Sequence, residues 1–212
     1  LVTITTDTSI DATQFYLGRQ GSNYFDGTID EVRFYTIALK LFEIKDLYSW
    51  APSPVGLWKF DEGSGTSSTY DKSGNGNNGT LSGFTEENWS NGKYGRALHF
   101  DGSEDSISVS DDPTLDFGTG SFTVEAWIIH DGTATSTEHI LNKIDNTNGG
   151  YKLYMDPSGD ICFVTDDDSS WDTDDSACTS GVDYDDGKWH HIAGVKTATS
   201  KLELFVDGSS AA

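Results

Sequence analysis

Alternation of apolar and polar residues over short runs constrains this chain more than any other feature. In "FTVEAWI", Phe122, Val124, Ala126 and Ile128 share one face and Trp127 lies on the other. "SISVS" sets Ile107 and Val109 against serines, and "YKLYM" and "DICFV" behave similarly. "KLELFVDG" brings Leu202, Leu204 and Val206 to one side before a turn at Asp207 and Gly208. A period of two belongs to a strand with one face buried; a helix repeats about every 3.6 residues. Clusters such as "DKSGNGNNGT" and "IDNTNGG" read as the loops between runs. One segment alone, "IALKLFEIKDLY", has a helical period, through Ile37, Leu41, Ile44 and Leu47 or Tyr48. The expected fold class is therefore all-β, a two-sheet antiparallel sandwich with one short helix.

Charge narrows the partners. Thirteen Lys+Arg stand against 35 Asp+Glu across 212 residues, for a formal net charge of −22. Such a surface repels nucleic acid and anionic membranes. No stretch approaches the ~20 apolar residues of a membrane span, and none has the shape of a signal peptide. The acidic excess is mostly aspartate, 26 Asp to 9 Glu, and with 23 Gly this suits many tight turns. It serves either to solvate an extracellular surface or, at some positions, to hold a hard cation such as Ca²⁺.

Cys162 and Cys178 are the whole thiol inventory and flank the polar run "DDDSSWDTDDS". If that run is a hairpin loop, the flanking segments pair antiparallel and the two cysteines face one another as a disulfide, which implies an oxidising compartment. Two buried thiols are the alternative. Asn78 in "NGT" and Asn88 in "NWS" match the N-glycosylation pattern. The one obvious linker is "SWAPSPVG", with two of the four prolines.

From Val55 onward the chain resembles a laminin-G-like domain of the concanavalin A-like jelly-roll superfamily. The resemblance rests on an ordered series: "VGLWKFDEGSG", "YDKSGNGNNGTL", "WSNGKYGRALHFDGSEDSISV", "GSFTVEAWI", "DGKWHHIAGV" and "LELFVDG". The family's closing motifs stand at the front of this chain, as "QFYLGRQGSNYFDGTIDEVRFYTIALKLFEIKDLY". The resemblance thus implies three segments: 1–50, the closing strands and helix of a jelly roll; 51–54, a linker; and 55–212, the opening and central strands. Residues 1–50 then fold back on the same copy, as in a circular permutant, or complete a neighbouring copy in a repeat or filament. A chain of this form is expected to be a piece of something longer.

Catalysis is not expected. Glycoside hydrolases of the superfamily carry paired carboxylates on one strand face, and no strand here has that spacing. Asp30 and Glu31 are adjacent and point to opposite faces, and "FTVEAWI" offers only Glu125. The resemblance makes "WHH" at Trp189, His190 and His191 a structural strand.

A metal site is the stronger expectation. Asp30 shares parity with Val32 and Phe34, and Glu62 with Trp58 and Phe60, so both are directed inward. The resemblance lays the first and last strands side by side, which brings the two carboxylates together. Ca²⁺ suits them, with Asp71, Asn75 and Asn78 of the "YDKSGNGNN" loop as further oxygen donors. The alternative is that Asp30 and Glu62 accept hydrogen bonds from turn amides or Arg96. Asp145 and Asn146 resemble the first pair of a pentraxin-like Ca²⁺ site, but "GRQGSN" at Gly18 to Asn23 departs from the acidic loop such a site needs. Candidate sugar-stacking aromatics are Trp171, first, then Trp89 and Tyr24; Trp58, Trp127 and Trp189 read as packing.

The expected function is a non-catalytic extracellular adhesion or carbohydrate-binding module, a calcium-stabilised repeat of a larger cell-surface protein. Its expected partners are a glycan or cell-surface ligand and further copies of itself, with no nucleic acid and no membrane insertion. The alternative is a structural subunit of a cell-surface filament, assembled by strand sharing and without a sugar ligand.

Overall fold

The computed structural model describes residues 19–20, 23–24 and 54–212, except 64, 104, 119, 131, 133, 135, 146–148, 167–175 and 198–200. The chain divides into two units, Leu1–Pro54 and Val55–Ala212. In the first, β1 (Arg19–Gln20) and β2 (Asn23–Tyr24) form a small antiparallel hairpin, Arg19 opposite Tyr24. The helical period at 37–48 lies outside the described residues.

The second unit runs β3 (Ser68–Thr69), β4 (Gly79–Ser82), β5 (Trp89–Asn91), β6 (Arg96–Leu98), β7 (Ser106–Val109) and β8 (Phe122–Ile129). It continues with β9 (Glu138–Asp145), β10 (Gly149–Met155), β11 (Ile161–Asp166), β12 (Ser176–Cys178), β13 (Trp189–Lys196), β14 (Leu202–Val206) and β15 (Ser209–Ser210). Every pairing among them is antiparallel. Two four-stranded sheets dominate, in the orders β12-β11-β10-β9 and β15-β14-β13-β8. A third sheet, β3-β4-β7, and the β5-β6 hairpin complete the unit. The second unit is thus an all-β, antiparallel jelly-roll sandwich.

The alternation delivers the core. Leu153, Ile161, Phe163, Ile192 and Leu204 are fully buried, and Phe122, Val124, Ala126 and Ile128 pack against them. Gly194 of β13 lies directly beneath Phe163; a Cβ there would stand 2.4 Å from the ring, so only glycine admits the aromatic. The β14–β15 hairpin closes at Asp207 and Gly208, with φ of 51° and 76°. Both central residues of a tight turn of this kind need positive φ, which Asp tolerates and Gly favours.

Three strand readings need correction. β11 does not alternate: Ile161 through Thr165 are buried on both faces. Ile161 and Phe163 enter the core, while Cys162 on the other face is covered by its disulfide to Cys178. "GLWKF" is not a strand either; it makes one isolated bridge, Trp58 to Asp71. Phe60 has φ of 54°, which reverses the backbone and removes the parity used to aim Glu62 inward. The cysteine expectation holds: Cys162 and Cys178 are opposite each other in the β11–β12 register and are bonded, 2.06 Å apart.

Candidate ligand-binding site

The outer face of β8 and β13 carries an aromatic group open to solvent. Register sets His191 beside Trp127, on the face opposite the core. Their rings are 5.2 Å apart. Trp127 keeps 37% of its surface exposed, and Tyr94, 73% exposed, meets it edge-on at 5.8 Å. The Lys93 ammonium stands 4.7 Å from the Trp127 ring centre. A carboxylate oxygen of Glu125, also on the outer face, is 3.3 Å from Nε2 of His191. Ile129 extends the apolar surface along the same strand face.

Tyr94 and Lys93 are presented by the β5–β6 turn, and one carboxylate fixes that turn. Asp61 Oδ1 accepts the Arg96 N–H at 2.9 Å. A Cβ on Gly95 would lie 2.3 Å from the same oxygen, and Gly95 has φ of 62°. Glycine is therefore required for Asp61 to reach the turn. Exposed aromatic faces stack on the apolar faces of sugar rings, while Lys, Glu and His beside them supply donors and acceptors for hydroxyls. The sequence reading took Trp127 as packing, although the alternation had already placed it opposite the core residues. That parity was the available signal.

The loop expected to supply calcium ligands is organised by hydrogen bonds. Asp71 accepts from the N–H of Leu57 (3.0 Å), Ser73 (2.8 Å) and Asn77 (3.0 Å), and from the Ser73 hydroxyl (2.7 Å). Burial pushes its carboxyl up, but these bonds, led by the Ser73 hydroxyl, outweigh it and hold the group below its ordinary range. Asn78 Oδ1 accepts from the Asp71 N–H, and Asn75 donates its amide to the Val55 carbonyl. Glu62 accepts from Thr69 Oγ1 (3.2 Å) and from the Tyr70 N–H (3.0 Å), the turn contacts weighed as the alternative to a metal. Among the described residues no group of three or more His, Cys, Asp and Glu side chains is placed to hold a metal ion. At Glu62, Asp71 and Asn78 the oxygens expected as calcium ligands accept N–H or O–H groups. Asp30 lies outside the described residues.

Of the aromatic candidates, Trp89 is corrected: at 9% exposure it opens β5 as a packed side chain, with no face for a ligand. Trp171 and Asn146 lie outside the described residues. Tyr24 ends β2 and Asp145 ends β9, but their side chains are outside the description.

His190 and His191 are both held by carboxylates. His190 lies between Asp207 (Nδ1 to Oδ2, 2.8 Å) and Asp186 (Nε2 to Oδ1, 3.1 Å). Burial pulls its pKa down, yet hydrogen bonds to Asp207 and Asp186 outweigh that and hold it above the ordinary 6.5. Asp186 is pushed down to about 2 by its hydrogen bonds to Lys188 and His190. Among the described strands, none carries two carboxylates two residues apart.

A laminin G-type family model, described as the concanavalin A-like lectin/glucanases superfamily, matches residues 101–212, just over half of the chain. No curated protein matches. Among solved structures, the binding domain of Paraclostridial Mosquitocidal Protein 1 is similar, with a TM-score of 0.55 and 17% identity over 71% of this chain and 38% of that one. An S-layer domain-containing protein of Clostridium thermocellum gives a TM-score of 0.50 and 20% identity over 74% of this chain and 70% of that one. A structure of botulinum neurotoxin type C, which depends on interaction with two ganglioside molecules to enter cells, gives 0.53 and 14% over 71% and 36%. The chain thus spans well under half the length of the mosquitocidal-protein and botulinum neurotoxin structures. At these identities the likeness is one of fold.

Proposed function

Because the chain belongs to the concanavalin A-like lectin/glucanases superfamily, we propose that it is a non-catalytic, extracellular carbohydrate-binding or adhesion module from a larger cell-surface protein. The observation that carries this reading is the solvent-open Trp127–Tyr94 pair, flanked by Lys93, Glu125 and His191 on a rigid strand face. Two large aromatics held in the open by ordered strands and a fixed turn form a platform of the kind sugars stack on. The Cys162–Cys178 disulfide fits an oxidising, extracellular setting. Toxin binding domains with this fold, one of them tied to gangliosides, lend the reading support by analogy.

A glycan array with the purified protein tests the reading. Binding that is lost in both Trp127→Ala and Tyr94→Ala, with melting unchanged, supports it. Absence of any glycan signal, or binding indifferent to both substitutions, overturns it.

A second reading is a structural repeat of a surface assembly built by strand sharing. It is favoured by one feature: among the described residues, the eight-residue strand β8 pairs only with β13 and ends its sheet. Light scattering decides: a concentration-dependent mass above 23.1 kDa supports assembly, and a single 23.1 kDa particle at all concentrations removes it.

A further inference from the structure

Two asparagines match the N-glycosylation pattern, Asn78-Gly79-Thr80 and Asn88-Trp89-Ser90, and the structure treats them in opposite ways. We propose that Asn78 is a glycan acceptor of this protein and that Asn88 is not.

An N-linked glycan is carried on Nδ2, so a glycosylated asparagine keeps its carbonyl oxygen and one N–H but loses the other. At Asn88 both halves of the amide are engaged. Nδ2 donates to the His99 carbonyl (3.0 Å) and to Asp105 Oδ2 (2.8 Å). Oδ1 accepts from the Thr85 N–H (2.7 Å) and hydroxyl (2.9 Å). Asn88 thus ties the short helical turn Glu86–Asn88 to the segments carrying His99 and Asp105, next to buried Trp89. A sugar on Nδ2 would have to occupy the position of one of those partners, leaving a half-buried acceptor unsatisfied.

At Asn78 only the carbonyl is used. Oδ1 accepts the Asp71 N–H at 3.0 Å, a bond that glycosylation leaves intact. Nδ2 has no hydrogen-bond partner among the described residues, and the residue is exposed at the loop edge of β4. Beside it opens a cavity of about 260 Å³ lined by Gly76, Asn77, Asn78, Ser110, Asp111 and Asp112, room for a first sugar whose hydroxyls meet polar groups. The glycine inside the triplet has its own structural reason: a Cβ at Gly79 would stand 2.5 Å from Ile107 and 2.8 Å from Thr69. The packing accounts for Gly79; the exposed Thr80 completes the triplet.

The chemistry is a group transfer from a lipid-pyrophosphate-linked oligosaccharide. Asn78 Nδ2 forms a bond to C1 of the reducing-end sugar, the C1–O bond to pyrophosphate breaks, and the lipid pyrophosphate leaves. The amide proton passes to a base of the transferring enzyme. The disulfide fits passage through an oxidising compartment of the kind in which such transfer takes place.

The test is secretion of the full chain from a eukaryotic host, followed by peptide mapping before and after peptide-N-glycosidase. The expected result is one occupied site, converted to Asp at position 78, with Asn88 unmodified. Thr80→Ala, which leaves Asn78 and its Asp71 bond in place, abolishes the glycan; Thr80→Ser restores it; Asn88→Gln leaves occupancy at Asn78 unchanged. A secreted, disulfide-bonded protein with unmodified Asn78, or one occupied at Asn88, overturns the proposal.

Discussion

The sandwich interior and the 55–78 segment are neighbours in one unit, yet different forces hold them. Between the two large sheets, Leu153, Ile161, Phe163, Ile192 and Leu204 are sealed from water by one another. Among the described residues of 55–78, strand pairing is limited to the two residues of β3 and the Trp58–Asp71 bridge, and most of the order comes from side chains bonding the backbone. Asp71 gathers Leu57, Ser73 and Asn77; the Val55 carbonyl accepts from Ser73, Asn75 and Asn77; Asn77 gives its carbonyl to the Trp58 indole. Hydrophobic burial is non-directional and scales with area, so the interior tolerates any well-packed solution. A carboxylate fan depends on one side chain at one position.

The largest effect tests the interior. Phe163→Ala, which empties the space above Gly194, is expected to cost about 3–5 kcal/mol in urea denaturation and to act on the whole unit. A loss near that of a surface substitution would mean the two sheets do not share one core.

Next comes the bridge on the opposite face of β11. Replacing Cys162 and Cys178, which are 16 residues apart, by alanine is expected to cost up to about 3 kcal/mol, with exchange protection lost first at β11 and β12. An unchanged melting curve under reductant would show that the β11–β12 register holds without it.

In the other region, Asp71→Ala is expected to cost about 1–2 kcal/mol. Its signature is local: faster amide exchange at Leu57, Ser73 and Asn77 while β11 stays protected. Uniform loss of protection would erase the contrast between the two regions.

A smaller effect follows from His190. Its folded pKa lies above 6.5, so its contribution is fully present below that value and fades as pH rises through the folded pKa. Asp207 and Asp186 are held below 3.8, so theirs is lost as pH falls below that value. Stability at this end of β13 should be greatest between about pH 4 and 6.5 and decline as pH rises through the folded pKa of His190. His190→Gln should flatten the alkaline decline; an unaltered profile would assign it elsewhere.

The smallest effect expected is none. If hydrogen bonds alone hold the Asp71 loop, excess chelator leaves the melting temperature where it was, and a clear fall would show a bound cation.

What the sequence determined by itself was everything governed by local period and turn chemistry. The faces of β7, β8 and β14, the Asp207–Gly208 turn and the pairing of Cys162 with Cys178 followed from alternation and from a polar run between two cysteines. The ordered motifs from Val55 onward pointed to the concanavalin A-like family, which the match over 101–212 bears out. Only the tertiary structure decided the rest. That the Asn88 Nδ2 is engaged and that Tyr94 stands beside Trp127 depend on residues ten or more positions away. Asp61 reaches the Gly95 turn, Asp71 closes on Leu57, and Asp105 seizes Asn88. A period reports which face a side chain leaves from; what waits there is set by long-range approach, and no local pattern encodes it.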